Sequence, residues 1–492
     1  HYIKRYNAEE GFPRIASRND SQVRGCQEIC TKLEKEVDNL IEHFNKSIIN
    51  CGINTMHELT MSQKIFMNES FAYSGFQIKI DRFISIKSLE KAIIRVIRTN
   101  GSLRSTIAKI KDSMVRIEYN MPNHVTIPMI DISQYDVNTK NEIIENLFTK
   151  LCFKEYKLGS ALLYRIVIIR ENLKKYRIIM PFHHAVFDEM SGEVIEKQLI
   201  KYYEDIEKGI IVNETREECE DYYFQIKKGP QKITEEEIIE QFQLNDFKEN
   251  IIRVSSTLKQ YNHQATKEHI LKIPLDNFNR LTEIGNLWGM ALWLTTILCT
   301  EYFGITKIPI TLFNYGRKYE GKTYFDSVGN FIDMIPLIID TKAEITKEIS
   351  AIGEKLNATA IHNINFLTLL FDQELQQRYQ QIYKLLTPNL DSLIMLNYHG
   401  LVTEKAVETA DYYSNGYRKL FADKINNKPP ANGIIFDIMY TRSILRISIN
   451  GPKGLVDKDL GTIIKDKIRL FDNDIDSYYH LKNTSKEGTS VL

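Results

Sequence analysis

The residue types able to do chemistry crowd into one stretch, Pro181-Phe182-His183-His184-Ala185-Val186-Phe187-Asp188. It follows the β-rich run Tyr176–Phe182 and precedes a helix predicted from about Met190. Neighbouring side chains leaving a strand end point in opposite directions, so the two histidines cannot do the same work. One can face a cleft while the other packs or bonds within the loop. Imidazole titrates near the pH of the cytosol, so the exposed ring can take a proton from an attacking ammonium or hydroxyl, or hold a tetrahedral intermediate. Asp188 lies too close along the loop to be assumed a charge-relay partner. A buried salt bridge to an arginine and a cap on the following helix, with Ser191 as the competing cap, both stand open. Two packed histidines at a strand end are the plain alternative for the whole run.

The elements that must position this loop are readable from periodicity. Leu162–Arg170 and Tyr176–Phe182 are two strands separated by the polar stretch Glu171–Lys175, which predicts a hairpin. Met190, Val194, Ile195, Leu199 and Tyr203 share one face of the helix that follows. Phe76–Ile80 alternates like a strand, and Ile86–Arg98 turns Leu89, Ala92, Ile93, Val96 and Ile97 to one side of a helix. Residues 21–50 read as a helix that either packs on its own domain or docks another protein. Residues 226–264, with Gly229, Pro230 and the charge run Glu235–Glu237, break the pattern and are assigned to a lobe boundary. Beyond it, Trp288–Phe303 is a buried helix, and Ile308–Phe313, Phe331–Ile339, Leu393–Asn397, Ile434–Tyr440 and Ile444–Ile449 are strands. Lys424–Gly433 reads as a surface loop. The predicted plan is a linker and helix at 1–55 (a candidate docking element), one lobe at 56–230 and an inter-lobe linker at 231–264. A second lobe at 265–480 and a tail at 481–492 complete it.

Composition narrows the function classes. The chain has 492 residues, 64 basic and 64 acidic, which argues against a nucleic-acid or membrane-surface partner. No apolar run reaches the roughly 20 residues that cross a bilayer. The six cysteines are scattered, with only Cys26 and Cys30 close together, so no metal site is expected and a reducing, cytoplasmic setting is. Phosphate-binding glycine loops are absent, so ATP chemistry is not expected. The chain opens on His1 and is expected to be a piece of a longer protein.

Taken in order, further segments extend the histidine run into a family pattern. Leu59-Thr60-Met61-Ser62-Gln63 comes first, then Ser102-Leu103-Arg104-Ser105, then the run itself, then Asp221-Tyr222. Asn314-Tyr315-Gly316-Arg317, Val328-Gly329-Asn330-Phe331 and Ile335-Pro336-Leu337 follow. From about residue 57 to 475 this ordered set resembles the condensation domain of nonribosomal peptide synthetases, within the chloramphenicol-acetyltransferase-like superfamily. The resemblance implies an α/β pseudo-dimer of two acetyltransferase-like lobes in a V with an active-site tunnel between them, working as a monomer. It implies amide formation between a thioester donor and an amine acceptor, both delivered on 4'-phosphopantetheine arms. The implied partners are donor and acceptor carrier proteins and neighbouring synthetase modules, with no tightly bound cofactor. By the same carry-over His184 and His183 are the catalytic pair, and Asp188 is structural with Arg317 as its candidate partner. Glu189, Ser191 and Asp333 are candidates to line or gate the tunnel.

Three positions depart from the family pattern. Glu189 stands where Gly is expected after the aspartate, Thr99-Asn100-Gly101 replaces Arg-His-Glu, and Asp333 replaces an Asn. Gly192 after Ser191 speaks against the related epimerisation domains, whose Gly-His-Gly-Arg-Glu segment has only a faint echo in Tyr398-His399-Gly400. His183 speaks against heterocyclisation domains. A stand-alone acyltransferase using free or coenzyme A-linked substrates, and a silent recruitment module, are the rival readings.

Overall fold

The computed structural model describes residues 3–7, 20–68, 73–111, 113–210, 219–261, 266–274, 287–319, 322–343, 345–387, 393–401, 433–441 and 443–456. The expected loop 424–433, except Gly433, and the tail at 481–492 lie outside them. In the first half the elements run β1 (Ile3–Asn7), α1 (Asp20–Ile49), β2 (Ile53–Glu58), α2 (Met61–Asn68), β3 (Tyr73–Asp81) and α3 (Ile86–Thr99). Next come β4 (Ser105–Ile110), β5 (Ser113–Tyr119), β6 (Met129–Asp131), α4 (Val137–Phe153), β7 (Val167–Asn172), β8 (Lys175–His183) and α5 (Glu189–Glu207). β1, β3, β8, β7 and β6 form one sheet in that order, and β2, β5 and β4 a smaller one.

Strand β8 sits between β3 and β7, and every residue from Tyr176 to His183 is buried. Its alternate side chains feed two cores. Ile178, Met180 and Phe182 join the core that holds residues of α3 and α5, while Ile179 joins the one that holds residues of α1 and α4. Antiparallel pairing on both sides, Tyr73↔His183 and Ile169↔Arg177, fixes where β8 ends and so where the histidine pair emerges. The β7–β8 hairpin turns at Leu173-Lys174.

Two parts of the first 55 residues are built into this lobe. Ile3–Asn7, expected to be linker, extends the sheet as an edge strand on β3. The apolar stripe of α1, with Leu33, Val37, Ile41, Phe44 and Ile48, is consumed by the lobe's own cores. That face is therefore not a docking surface.

The second half continues with α6 (Cys219–Lys227), α7 (Glu235–Gln241), α8 (Leu244–Lys259), β9 (Thr266–Pro274), α9 (Leu287–Phe303) and β10 (Lys307–Asn314). The short β11 (Lys318–Tyr319) and β12 (Lys322–Thr323) precede β13 (Asp333–Asp340), α10 (Ile345–Ile361) and α11 (Phe366–Phe371). Last come β14 (Ile394–Leu401), β15 (Ile434–Tyr440) and β16 (Ile444–Pro452). The six-stranded sheet runs β13-β10-β14-β15-β16-β9, with β10, β14 and β15 parallel and the rest antiparallel. Pro336 is tolerated because β13 is the edge strand.

The stretch 231–264 is not a free linker. α7 and α8 supply Ile238, Ile239, Phe242, Leu244, Phe247, Ile251, Val254 and Leu258 to the second lobe's core. The charge run Glu235–Glu237 is the first turn of α7, where acids favour the helix dipole and Thr234 with Glu237 closes a capping box. Among the described residues no helix is long and apolar enough to cross a membrane.

Candidate active site

The histidine pair divides as strand geometry requires. His183 ends β8 and is 4% exposed. Its backbone N–H donates to the Leu163 carbonyl, its Nδ1 accepts from the Ala185 N–H at 3.1 Å, and its ring meets Tyr156 edge-on. Burial first, then the nearby His184 and Arg165 charges, push its pKa down to about 4. The ring is thus held neutral and acts within the loop.

This depressed pKa gives the fold a pH dependence. The unfolded ring titrates near its usual value and the folded one near 4, so the unfolded state takes up the proton first as pH falls. His183 therefore supports the fold above about pH 6.5, and that support drains away between about 6.5 and 4, a span worth about 3 kcal/mol. Wild type should lose denaturant stability more steeply over this interval than His183→Asn. Parallel pH curves would sink the assignment.

His184 opens a short 3-10 turn, His184–Val186, and is partly exposed. Its Nδ1 lies 3.2 Å from the Phe187 carbonyl. A carbonyl only accepts, so Nδ1 carries the hydrogen and Nε2 is left as the ring's acceptor. The Phe66 ring packs on it at 5.1 Å between centroids. Phe66 comes from α2, whose start is set by Thr60 and Gln63: the Gln63 N–H donates to Thr60 Oγ1 and the Thr60 N–H to Gln63 Oε1. The Leu59–Gln63 segment thus acts through a helix cap that holds Phe66 against His184.

Asp188 is the N-cap of α5 and fully buried, and it is the hub of the loop. It accepts from the Ser191 N–H at 2.9 Å, the Ser191 hydroxyl at 2.7 Å and Arg317 Nη2 at 2.5 Å. Arg317, 129 residues away, donates also to the Tyr324 and Ser327 carbonyls and lies 4.2 Å from the Phe331 ring centre. Gly316 makes this approach feasible. It sits at φ +57°, and a Cβ there would collide with the Phe331 carbonyl and the Tyr222 hydroxyl. Tyr222, Tyr223, Tyr324 and Phe331 wall the pair off as one aromatic cluster.

Two of the gating candidates are placed elsewhere. Ser191 is fully buried, and its hydroxyl also bonds Arg317 and Gly329, so it belongs to the ion-pair network and lines no passage. Asp333 is 3% exposed and caps α11, accepting from the Phe366 and Leu367 N–H groups, with Met334 adding a third bond. Burial pushes its carboxyl up to about 6 against those bonds. Two oxygens facing two helix N–H groups are the physical reason for Asp over Asn at this position. Glu189 opens α5; its side chain and that of Asp221 lie outside the described residues.

The second departure also has a local cause. A Cβ at Gly101 would run into the carboxylate of Glu118, which reaches from β5 to ion-pair with Arg104 at 2.6 Å. The space a side chain at 101 would need is thus taken by the Glu118 carboxylate. Gly101→Ala should cost about 1–3 kcal/mol by overpacking, read from the denaturation midpoint. An unchanged midpoint would show that Glu118 can yield.

Three groups of the site carry no signal in the sequence: Phe66, Glu118 and the amide of Asn330, which donates to the His184 carbonyl at 2.6 Å. Asn330 lies inside a family motif but at its variable position, and Phe66 belongs to no motif at all. Among the described residues no three His, Cys, Asp or Glu side chains gather as a metal site.

Comparison with known proteins agrees with this architecture. A family model described as the condensation domain matches residues 57–418, well over half of the chain. A linear gramicidin synthase of Brevibacillus parabrevis is 19% identical over 282 residues, 54% of this chain; the chain spans about 5% of that relative's length. Among solved structures, the condensation domain of the Monacolin K polyketide synthase MokA aligns with a TM-score of 0.55 at 11% identity, covering 85% of this chain and 96% of that one. The epimerization domain of tyrocidine synthetase TycB3 gives 0.54 at 13% identity, covering 85% and 99%. The first condensation domain of the calcium-dependent antibiotic synthetase gives 0.52 at 14%, covering 84% and 95%. At such identities the structures speak for the fold, while the family match covers the histidine run and Arg317 together. This chain belongs to the condensation domain family.

Proposed function

We propose that the chain forms an amide bond between an acyl or peptidyl thioester and an amine, within nonribosomal peptide or hybrid polyketide–peptide assembly. The observation that carries this reading is the His184 ring, whose Nδ1–H is committed to the Phe187 carbonyl so that Nε2 is the basic atom. The amine attacks the thioester carbonyl, and His184 Nε2 takes the ammonium proton as the C–N bond forms. Collapse of the tetrahedral intermediate breaks the C–S bond, and the proton passes to the departing thiolate. Both substrates arrive on 4'-phosphopantetheine arms of a donor and an acceptor carrier protein, so the chain itself holds no tightly bound cofactor. In this reading it is a cytoplasmic monomer working beside neighbouring synthetase modules. Its two lobes open as a V with the tunnel between them, and His183 supports the loop.

Single-turnover transfer tests it. A carrier protein loaded with a small acyl thioester is mixed with the chain and a panel of free and carrier-bound amines, and intact-protein mass spectrometry follows both carriers. The expected result is loss of acyl mass from the donor with matching gain on an amine. A donor that loses its acyl group only to water, or keeps it across the whole panel, overturns the reading.

A further inference from the structure

The loop carrying His184 belongs to the first lobe, yet a segment of the second half holds it at both ends. The Gly329 carbonyl accepts from the Asp188 N–H at 3.0 Å, and the Gly329 N–H donates to Ser191 Oγ at 3.0 Å. The Phe331 N–H reaches Asp188 Oδ2, and the Val328 carbonyl accepts from Ser102 Oγ at 2.8 Å. Between these lies Asn330, fully buried. Its N–H donates to the Tyr223 hydroxyl at 3.0 Å, and its Oδ1 accepts from the Ile332 N–H at 3.1 Å. Its Nδ2 donates to the His184 carbonyl at 2.6 Å, a bond spanning 146 residues of sequence.

These contacts fix the amide of Asn330 from behind and spend its donor on the backbone of His184 itself. The Nδ1–Phe187 bond sets the ring's tautomer, but it lies wholly within the turn and does not place the turn against the second half of the chain. Only an outside contact can do that. We infer that Asn330 is a positioning residue: it sets where His184 Nε2 stands, and it makes the reactive geometry depend on the seating of Val328–Phe331. The inference rests on His184 acting as the base. Asn fits the task because one amide supplies both the acceptor for Ile332 and the donor for His184. A displacement of the ring by about 1 Å is enough to lower transfer about 100-fold, because reacting atoms must meet in near-attack geometry.

The test compares wild type, Asn330→Ala, Asn330→Leu and His184→Ala, using the donor-loaded carrier and an amine acceptor that supports transfer. Leu fills the volume of the amide without its hydrogen bonds, so a cavity at Ala cannot by itself decide the outcome. The expected result is a kcat lower by about 10–100-fold in both Asn330 variants, with acceptor KM within about twofold. The ring signals of His184 in histidine-15N-labelled protein should move while the melting curve stays cooperative. A merely structural role would shift the melting temperature and leave the kcat of folded protein and the ring signals unchanged, and that result overturns the inference. If His184→Ala keeps full transfer, the base assignment falls and this inference falls with it. If His184→Ala loses transfer while folded Asn330→Leu keeps it, only the role of Asn330 is lost.

Discussion

His184→Ala should lower single-turnover amide formation by about 10²–10⁴-fold while leaving the protein folded. The effect is large because the proton of the attacking amine then has no positioned acceptor. The fold survives because the ring is partly exposed and its hydrogen bond to Phe187 stays within the turn. His184→Gln separates two roles. A side-chain amide can hold an amine through its carbonyl oxygen but cannot take its proton. Transfer retained in the glutamine variant would make His184 a positioning group, and transfer unaffected by alanine would remove it from the mechanism altogether. Donor hydrolysis measured in parallel guards against reading a misplaced thioester as lost base catalysis.

How far this site could be read in advance follows from the range of each interaction. The His183–His184 division needs only the alternation of side chains at the end of β8, so it is visible in eight consecutive residues. Asp188 and Arg317 are 129 residues apart, and nothing local in either segment names the other. Only the ordered set of motifs connects them. The errors have the same origin. Ser191 and Asp333 sit in motifs that line a passage in the implied fold, yet exposure is set by what packs from elsewhere, here the Arg317 segment and the start of α11. Residues 231–264 read as linker because of their charge runs and Gly229-Pro230, although Leu244, Phe247, Ile251, Val254 and Leu258 recur at helical spacing and mark a helix that packs on the second lobe. Glu118 fills from β5 the space beside Gly101, a contact that exists only in three dimensions. Chemistry carried by neighbours in sequence is legible directly, and the distant Asp188–Arg317 pair only through the resemblance, while contacts that no motif names, such as Phe66 on His184, are not.

Arg317→Ala should destabilise the protein by about 3–5 kcal/mol, the range for removing one partner of a buried ion pair. Both side chains are fully buried, so the Asp188 charge left behind cannot be screened by water. The Ser191 and Phe331 bonds to it remain, but the carboxylate loses the guanidinium that faces it at 2.5 Å. Asp188→Leu should cost as much by the opposite route, because a guanidinium cannot shed its proton and would stay charged beside the Phe331 ring. The double variant Asp188→Leu/Arg317→Met is the informative one. Exchanging a whole buried pair for apolar residues of similar volume is often close to neutral, so it should recover most of what either single change loses. With the double variant costing about 1 kcal/mol, the coupling in the double-mutant cycle, read from denaturation midpoints, should be about 5–9 kcal/mol, larger than either single loss. Single losses below about 1 kcal/mol would mean that the pair is dispensable to the fold. Recovery of stability does not predict recovery of transfer. Arg317 Nη2 also bonds Ser191, and Asp188 caps α5 directly after the His184 turn, so an apolar pair would keep the lobes packed while freeing the turn. A double variant that melts like wild type yet transfers slowly would separate the two duties of this ion pair: holding the lobes together and holding His184 in place.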